Sequence, residues 1–441
     1  YDVVWDDAIA EEKRYGEWLG NIKNISPDMV VIESKTPVIK RHWKIIDEIK
    51  KISPETVVVL VGDHVTVLPE ESFENSKVDY VLTGGDYDFL LLNLANHLTK
   101  KDKLEPGVWY REKGKVKDTG KFQLNHNLND LPFIDRELTK WRMYSRKNGN
   151  YKKTPGTYIM AGRDCWWHKC TFCAWTTLYP QYRVRKPESV VKEIGMLIEK
   201  YGIKEIFDDT GAFPIGEWLR KFCNLMIEKG YSKKIYFDCN MRFGALSLDE
   251  YKLMKKAGFR MLLFGLESGN QKTLDRINKD LTIEQIKDSC MKAKQAGLEP
   301  HITVMLGYPW ETKEDALRTV ELAEYLFNKG WADTLQATTV ISYPGTPLFE
   351  ECKKNNLLVS EDWDYYDMRK PVMKTPLSES EIKELTQRLY RVFFAPKYML
   401  RKFASVRSVD DLKFAGKGIK KVFGHLKDFS ASKSKNLEEC D

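Results

Sequence analysis

The stretch AGRDCWWHKCTFCAW, residues 161–175, sets Cys165, Cys170 and Cys173 in the order C-x4-C-x2-C, with no fourth cysteine nearby. Iron–sulfur clusters are held by thiolates. Three thiolates can hold three irons of a [4Fe–4S] cube and leave the fourth iron open to an outside ligand. Spacing alone admits two other readings. A structural zinc takes a closed set of four ligands, and His168 inside the loop is a candidate fourth. Three buried cysteines with nothing in common are the third. Position separates them. TYIMAG (157–162), just ahead of the loop, reads as a buried strand, so the cysteines follow a strand's carboxyl end.

Working outward, that strand opens a regular series. KEIFDDT (204–210), KIYFDCNM (234–241), FRMLLFGLES (259–268), PHITVMLGYP (300–309) and TLQATTVISYP (334–344) read as five further strands. Three of the helices between them open with capping-box pairs, Ser247–Glu250, Thr282–Gln285 and Thr312–Asp315. Six βα units in series predict a barrel or partial barrel, whose active face lies at the carboxyl ends of the strands. The cysteines then sit in its first βα loop, on that face, where a structural zinc knuckle has little reason to be.

The first hundred residues alternate too. DMVVIES (28–34), TVVVLVGD (56–63) and VDYVLTGG (78–85) read as buried parallel strands, and Ile39, Trp43, Ile46 and Ile49 share one helical face between the first two. This predicts a doubly wound parallel sheet, with ligands expected beyond the strands' carboxyl ends. Gly62, Gly84 and Gly85 fall there. YDVVWDD at the start is a candidate earlier strand, and a full domain of this type needs one more βα unit before it. Residues 100–155 are charged and loop-rich and read as a connection with a small hairpin. From Ser378 an amphipathic helix begins. Between Pro396 and Asp441 stand eleven Lys/Arg against six Asp/Glu, and the last dozen residues read as disordered.

Composition sets the bounds. The 441 residues, 42% hydrophobic, suffice for two or three cored domains. A net charge of +7 is modest and does not point to nucleic acid. No apolar run approaches the ~18–20 residues of a membrane span, and no signal peptide is visible. The other five cysteines are scattered (Cys223, Cys239, Cys290, Cys352, Cys440), which fits a reducing cytoplasm and not a disulfide framework.

On these residues the chain resembles radical S-adenosylmethionine (SAM) enzymes of the class with an N-terminal cobalamin-binding domain. CTFC places Phe172 before the last cysteine, as that family does. FGLESGNQKTLDRINK (264–279), MLGYPWETKEDALRTVELA (305–323) and ISYPGTPLFEECKKNNLL (341–358) resemble its fourth, fifth and sixth strand segments. VGDHVTVLPEE and VDYVLTGGDYDFLLL resemble the cobalamin-domain signatures, and LNDLPFIDR the usual junction. The likeness implies an α/β chain. A Rossmann-like cobalamin-binding-type sheet spans 1–102 and a linker 103–155. A (β/α)6 partial TIM barrel covers 156–350, and a helical region with a basic tail runs over 351–441.

The resemblance also implies cofactors and chemistry. Cys165, Cys170 and Cys173 would hold the cluster, and SAM would chelate its open iron. The implied reaction is cleavage of SAM to a 5′-deoxyadenosyl radical, with cobalamin-dependent methylation of an unactivated carbon. Phe172, Asp209, Asn240, Arg242, Glu267 and Ser268 are candidates to contact SAM or substrate. Asp208, beside Asp209, is equally a helix N-cap or strand-end residue. Tyr308 either reaches the substrate or packs, and His301 is read as structural. Ser34, Thr36, Gly62, Thr66, Gly84 and Gly85 lie where a corrin and its nucleotide tail would sit, although tight βα turns use glycine as well. The expected partners are a small-molecule, lipid or natural-product substrate and a reducing donor such as flavodoxin or ferredoxin. The basic tail reads as a solvated face, a holder of an acidic or lipid substrate, or a membrane-surface contact.

Two features depart from the family. Its usual spacing is C-x3-C-x2-C, so this loop must bulge by one residue among Trp166, Trp167, His168 and Lys169. The Asp-x-His-x-x-Gly motif that supplies a lower axial histidine is absent, with His64 in GDHVT the only nearby histidine, so cobalamin is expected without histidine ligation. Competing functions are a radical SAM cyclase, C–C coupling or oxidation enzyme with a vestigial cobalamin domain, and a zinc-bearing binding module without catalysis.

Overall fold

One mixed and one parallel sheet organise the chain in the computed structural model, which describes residues 1–146 and 150–428. The first is built from β1 (Met29–Glu33), β2 (Val57–Val61), β3 (Tyr80–Leu82), β4 (Val108–Glu112) and β5 (Lys115–Asp118), in that spatial order. β1, β2 and β3 run parallel, and β4 and β5 return as an antiparallel hairpin. Along β2, Val58 and Leu60 join one core with Trp43, Ile46 and Ile49, while Val59 and Val61 pack with Leu90 and Leu94 on the opposite face. Helices therefore cover both faces, as expected of a doubly wound sheet.

Two sequence expectations change here. The hairpin assigned to the connection is hydrogen-bonded to β3 through Val81↔Trp109, so it extends the N-terminal sheet instead of lying in a linker. YDVVWDD forms no strand. Its side chains seek partners off the sheet: the Tyr1 hydroxyl donates to Asn96 (2.8 Å) and the Trp5 indole to the Tyr144 hydroxyl (3.3 Å). β1 therefore remains an edge strand.

The second sheet holds β6 (Gly156–Ile159), β9 (Glu205–Asp208), β10 (Tyr236–Met241), β11 (Phe259–Glu267), β12 (Glu299–Leu306) and β13 (Thr334–Thr339), all parallel and adjacent in that order. Between β6 and β9 a two-residue pair, β7 (Gly162–Arg163) and β8 (Arg183–Val184), runs antiparallel. β6 and β13 are not paired, so the sheet curls as an open half-barrel. The three anticipated capping boxes are present, and a fourth joins Ser378 to Glu381. That fourth box starts the amphipathic helix Glu379–Arg391, which buries Ile382, Leu385 and Leu389. The helix packs against the last strand, where the Tyr390 hydroxyl accepts a hydrogen bond from the Ala337 amide (3.2 Å).

At the amino ends of the barrel strands Arg260, 2% exposed, gathers Glu205 (2.8 Å), Asp238 (2.7 Å) and Glu299 (2.9 Å). Two helices, Pro396–Ser405 and Val409–Asp428, follow along this end. The final dozen residues, read as disordered from sequence, lie outside the described residues. Among those described, no helix is long and apolar enough to cross a membrane.

Candidate active site between the two sheets

The cysteine loop leaves β6 and returns through β8, and the β7–β8 pair pinches its base. A Cβ on Gly162 would stand 2.5 Å from the Arg183 carbonyl oxygen, so the pinch requires glycine. The Gly162 amide donates to the Thr210 hydroxyl (2.9 Å), which donates back to the Gly162 carbonyl (3.1 Å). Asp208, fully buried, accepts from the amides of Ala161 (2.6 Å) and Thr210 (3.0 Å). Asp208 is thereby occupied with backbone, and of the carboxylate pair only Asp209 keeps some exposure.

The extra residue of C-x4-C is absorbed at two left-handed positions, Asp164 (φ 71°) and His168 (φ 43°). The two tryptophans then anchor the bulge. The Trp166 indole donates to the Phe213 carbonyl (3.3 Å) and the Trp167 indole to the Asn278 carbonyl (3.0 Å). The Thr171 amide reaches the Ile277 carbonyl, and its carbonyl takes the Leu348 amide, both at 3.0 Å. Loops beyond β11 and β13 thus hold the cysteines over the carboxyl face. Cys170 is buried, and Cys165 and Cys173 are partly exposed. Among the described residues no three His, Cys, Asp or Glu side chains converge as a single metal ion requires. A structural zinc closes four donors around one point at roughly 2.0–2.3 Å, and His168 stands in the same loop as the three thiols. A cube makes a different demand, one thiolate for each of three irons.

Charge around the loop suits thiolates. Arg242 lies over the Trp167 ring (4.0 Å) and donates to the Asp280 carbonyl (2.9 Å). Lys279 donates to Glu267 (2.9 Å). Burial pushes the Cys170 thiol up, and the cations of Lys279 and Arg242 pull it back. Burial opposes the charge on Lys279, but Glu267 and Cys170 hold it protonated beyond the ordinary range. Glu267 sits at φ 61° on a bulge of β11, its carboxylate folded over Gly265, where a Cβ would stand 2.1 Å from Oε1. Such a backbone costs on the order of 1–3 kcal/mol. Phe172 lies under the same ammonium, 5.9 Å from its ring centre.

Other sequence candidates make internal contacts. Asn240 donates to the Thr210 carbonyl (2.9 Å). Burial raises the Asp209 carboxyl, and a hydrogen bond with Asn240 opposes the rise. Ser268 is fully buried, and its hydroxyl donates to Glu311 (2.7 Å) beside Thr319 (3.3 Å). These bonds tie the end of β11 to the segment after β12. His301 lies at the far end, bonded to Thr334 (2.8 Å), as a structural residue would.

Burial lifts the Glu311 carboxyl from 4.5 to about 7, against its bond from Ser268. A carboxyl raised on folding stabilises fully below its unfolded value, and that contribution disappears as pH climbs from about 4.5 to about 7. Glu311→Gln should flatten the fall in thermal stability across that window by up to about 3 kcal/mol. Tm against pH for both proteins reads this directly; parallel profiles would overturn it.

Among the buried polar atoms on this face that have no hydrogen-bond partner among the described residues are Asp164 Oδ2, Arg183 Nε, the Tyr308 hydroxyl, Glu311 Oε2 and the Ser342 hydroxyl. Buried polar groups are rarely left so, and here they fit a polar ligand. Lys279 and Asp164 escaped the sequence reading. Lys279 closes the fourth-strand segment and could have been found there; only the fold buries Asp164.

The N-terminal candidates collect at the carboxyl ends of β1, β2 and β3. Thr66 donates to the Gly62 carbonyl (2.8 Å) and accepts from the Gly84 amide (3.0 Å). A Cβ on Gly62 (φ 117°) would stand 2.3 Å from the Ser34 carbonyl oxygen, so this glycine serves a close backbone approach. Ser34 contacts His42 (2.8 Å). Thr36 contacts His64 Nδ1 (3.3 Å), and Glu71 takes Nε2 (3.0 Å). With both ring nitrogens engaged, His64 is not poised as an axial ligand, which fits a corrin bound without one. The Phe122 and Tyr179 rings occupy the spaces where a Cβ would stand on Gly84 (2.6 Å) and Gly85 (2.8 Å). A groove of about 370 Å³ lined by Phe122, Leu124, Pro180 and Gln181 opens beside them. The glycines themselves are covered by these rings and by the Ser34 backbone, and the open space lies on the far side of Phe122.

The two halves of the site are joined by ions. Asp86, after β3, receives Arg163 (2.7 Å), Arg183 (2.6 Å) and His126 (2.9 Å), and the Tyr179 hydroxyl donates to Asp63 (2.5 Å). The base of the cysteine loop is therefore bound to the glycine-lined end of the first sheet.

Comparison with known proteins accords with this geometry. Residues 161–323 match the Radical SAM superfamily. An uncharacterized methyltransferase of Pyrococcus horikoshii is 29% identical over 408 residues, covering 91% of this chain and 86% of that one. The anaerobic magnesium-protoporphyrin IX monomethyl ester cyclase of Cereibacter sphaeroides is 24% identical, covering 90% and 64%. Among solved structures, the methyltransferase TsrM of Kitasatospora setae, with cobalamin and a [4Fe–4S] cluster bound, superposes with a TM-score of 0.71 at 14% identity, covering 98% and 94%. OxsB with aqua-cobalamin and SAM gives 0.69 at 15%, covering 93% and 65%. At these identities the structural likeness is one of fold. The radical SAM match thus lies on the segment that carries the three cysteines and most of the curled sheet, and the chain as a whole has the two-sheet architecture that TsrM and OxsB also have.

Proposed function

We propose that this chain is a cobalamin-dependent radical SAM methyltransferase acting on an unactivated carbon. The observation that carries the reading is the junction at Asp86, which sets the three-cysteine loop against the glycine-lined ends of β1–β3. When bound, the cluster, SAM and cobalamin supply one-electron cleavage of SAM to a hydrogen-abstracting radical and a carrier for the methyl group. The chain's own residues do the rest. Cys165, Cys170 and Cys173 ligate, and Arg242 and Lys279 balance the negative charge. Trp166 and Trp167 fix the loop, and Tyr308 and Asp164 offer polar groups to what binds. Phe172, Asp209, Asn240 and Glu267 belong to the SAM side, and Ser34, Thr36, Gly62, Thr66, Gly84 and Gly85 to the corrin side. The curled sheet excludes water from the space between. A small-molecule, lipid or natural-product substrate, a flavodoxin- or ferredoxin-type donor and a cytoplasmic setting complete the proposal.

One observation favours a second reading. The Phe122 and Tyr179 rings rest on Gly84 and Gly85, where a corrin tail would need room. If they stay there, the chain carries out cyclisation, coupling or oxidation without cobalamin, as the name of the Cereibacter relative would fit. The test is anaerobic: reconstitute the cluster, add cob(II)alamin and record the EPR spectrum. A base-off signal without nitrogen splitting supports the first reading, and S-adenosylhomocysteine should then accumulate beside 5′-deoxyadenosine. A spectrum matching free cob(II)alamin, with 5′-deoxyadenosine alone, moves the assignment to the second.

A further inference from the structure

The two last helices leave apolar side chains in water on the side away from the protein. On Pro396–Ser405, Tyr398, Arg401 and Lys402 turn inward: the Tyr398 hydroxyl donates to the Asp333 carbonyl (3.0 Å) and Lys402 pairs with Asp333 (2.9 Å). Leu400 and Phe403 on the same helix are 70% and 69% exposed. Val409–Asp428 repeats the pattern. Phe414 meets Arg260 (5.6 Å), Asp411 pairs with Lys152 (2.9 Å) and Val422 packs on the core. Val409, Leu412 and Ile419, spaced to share the opposite face, are 64%, 59% and 55% exposed. Isolated exposed apolar residues need no explanation, but exposed ones that align on the outer face of a helix whose inner face is packed do.

Charge selects the occupant. Residues 396–428 carry nine Lys/Arg against three Asp/Glu, in a chain whose net charge is +7. Lys413 and Lys420 flank the apolar stripe and are exposed, as is Lys397 on the preceding helix. A helix with apolar residues on its outer face and lysines beside them lies in the interface of an anionic bilayer. A second copy of the chain would bring the same positive field against itself. We propose that the 396–428 helices form a peripheral docking surface for anionic lipid. They lie at the amino ends of the barrel strands, away from the cysteine loop, so docking leaves the active face open. This stands apart from the proposed reaction.

The test floats the full chain with phosphatidylcholine vesicles, with and without phosphatidylglycerol. Binding should require phosphatidylglycerol and weaken with salt. Each of Lys413→Gln and Lys420→Gln should lower the partition coefficient about 5-fold. Leu400→Ser combined with Phe403→Ser, which leaves the charge intact, should lower it by about 10-fold or more. Equal binding to neutral vesicles, no binding to either, or binding that ignores the Leu400/Phe403 change each overturns the proposal. A concentration-dependent dimer that the same serines dissolve would assign the face to a second copy instead. The serine variant should keep its cluster absorbance, which separates lost docking from lost fold and from failure of the assigned chemistry.

Discussion

Cys170→Ala, purified and reconstituted without oxygen, is expected to emerge colourless, with iron and sulfide at background and no 5′-deoxyadenosine from SAM. The thiol is buried among Lys279, Arg242 and Glu267, and no other side chain in the described structure stands in its place. Cys165→Ala and Cys173→Ala should do the same, because a cube held by two thiolates is lost. His168→Ala separates the chemistries. With a cluster, iron content stays at wild-type level, since three thiolates hold it and His168 stands at the left-handed turn of the bulge. With a zinc site, the same change would release metal. Cys223 and Cys239 are fully buried in the barrel core, so Cys223→Ser should cost stability and leave iron unchanged. Iron retained in Cys170→Ala would overturn the site assignment.

Much of this was legible in the chain because it is local. A strand announces itself by a short β-branched run and a helix by its cap, so the six barrel strands and three capping boxes could be read before any tertiary contact was known. The cysteine loop's place on the active face followed from order alone. What stayed hidden depends on pairs distant in sequence. Phe122 rests on Gly84 and Tyr179 on Gly85, from segments that carry no motif for it. The β4–β5 hairpin is easy to see but not its pairing to β3, because register is set by the neighbouring strand. The motif offers Ser268 as a cofactor contact, with no sign that its hydroxyl donates to Glu311, forty-three residues on. A motif fixes which residue stands at a strand's end, and only packing decides which way it is used.

The same logic gives the largest stability effect at the barrel's amino end. Arg260→Met should destabilise the protein by about 3–5 kcal/mol, the usual cost of leaving buried charge unpaired. Glu205 and Asp238 share one guanidinium nitrogen and are fully buried, and Glu299 takes the other nitrogen. Burial would raise the Glu299 carboxyl, but Arg260 and Lys152 overcome it and hold it at about 2. A carboxyl depressed on folding stabilises above its unfolded value of 4.5 and loses that contribution as pH falls toward about 2. Wild type should therefore weaken between those values, and Arg260→Met should weaken less, since Glu299 then titrates closer to its ordinary pKa. Arg260 also donates to the Asn150 carbonyl (2.9 Å) and lies against Phe414. Its loss should free the Val409–Asp428 helix, visible as faster amide exchange there than in β10 or β11. Arg260→Lys, which keeps the charge but cannot reach three carboxylates at once, should fall between the two. A melting temperature unchanged in Arg260→Met would overturn the assignment of a stabilising role to this buried charge group.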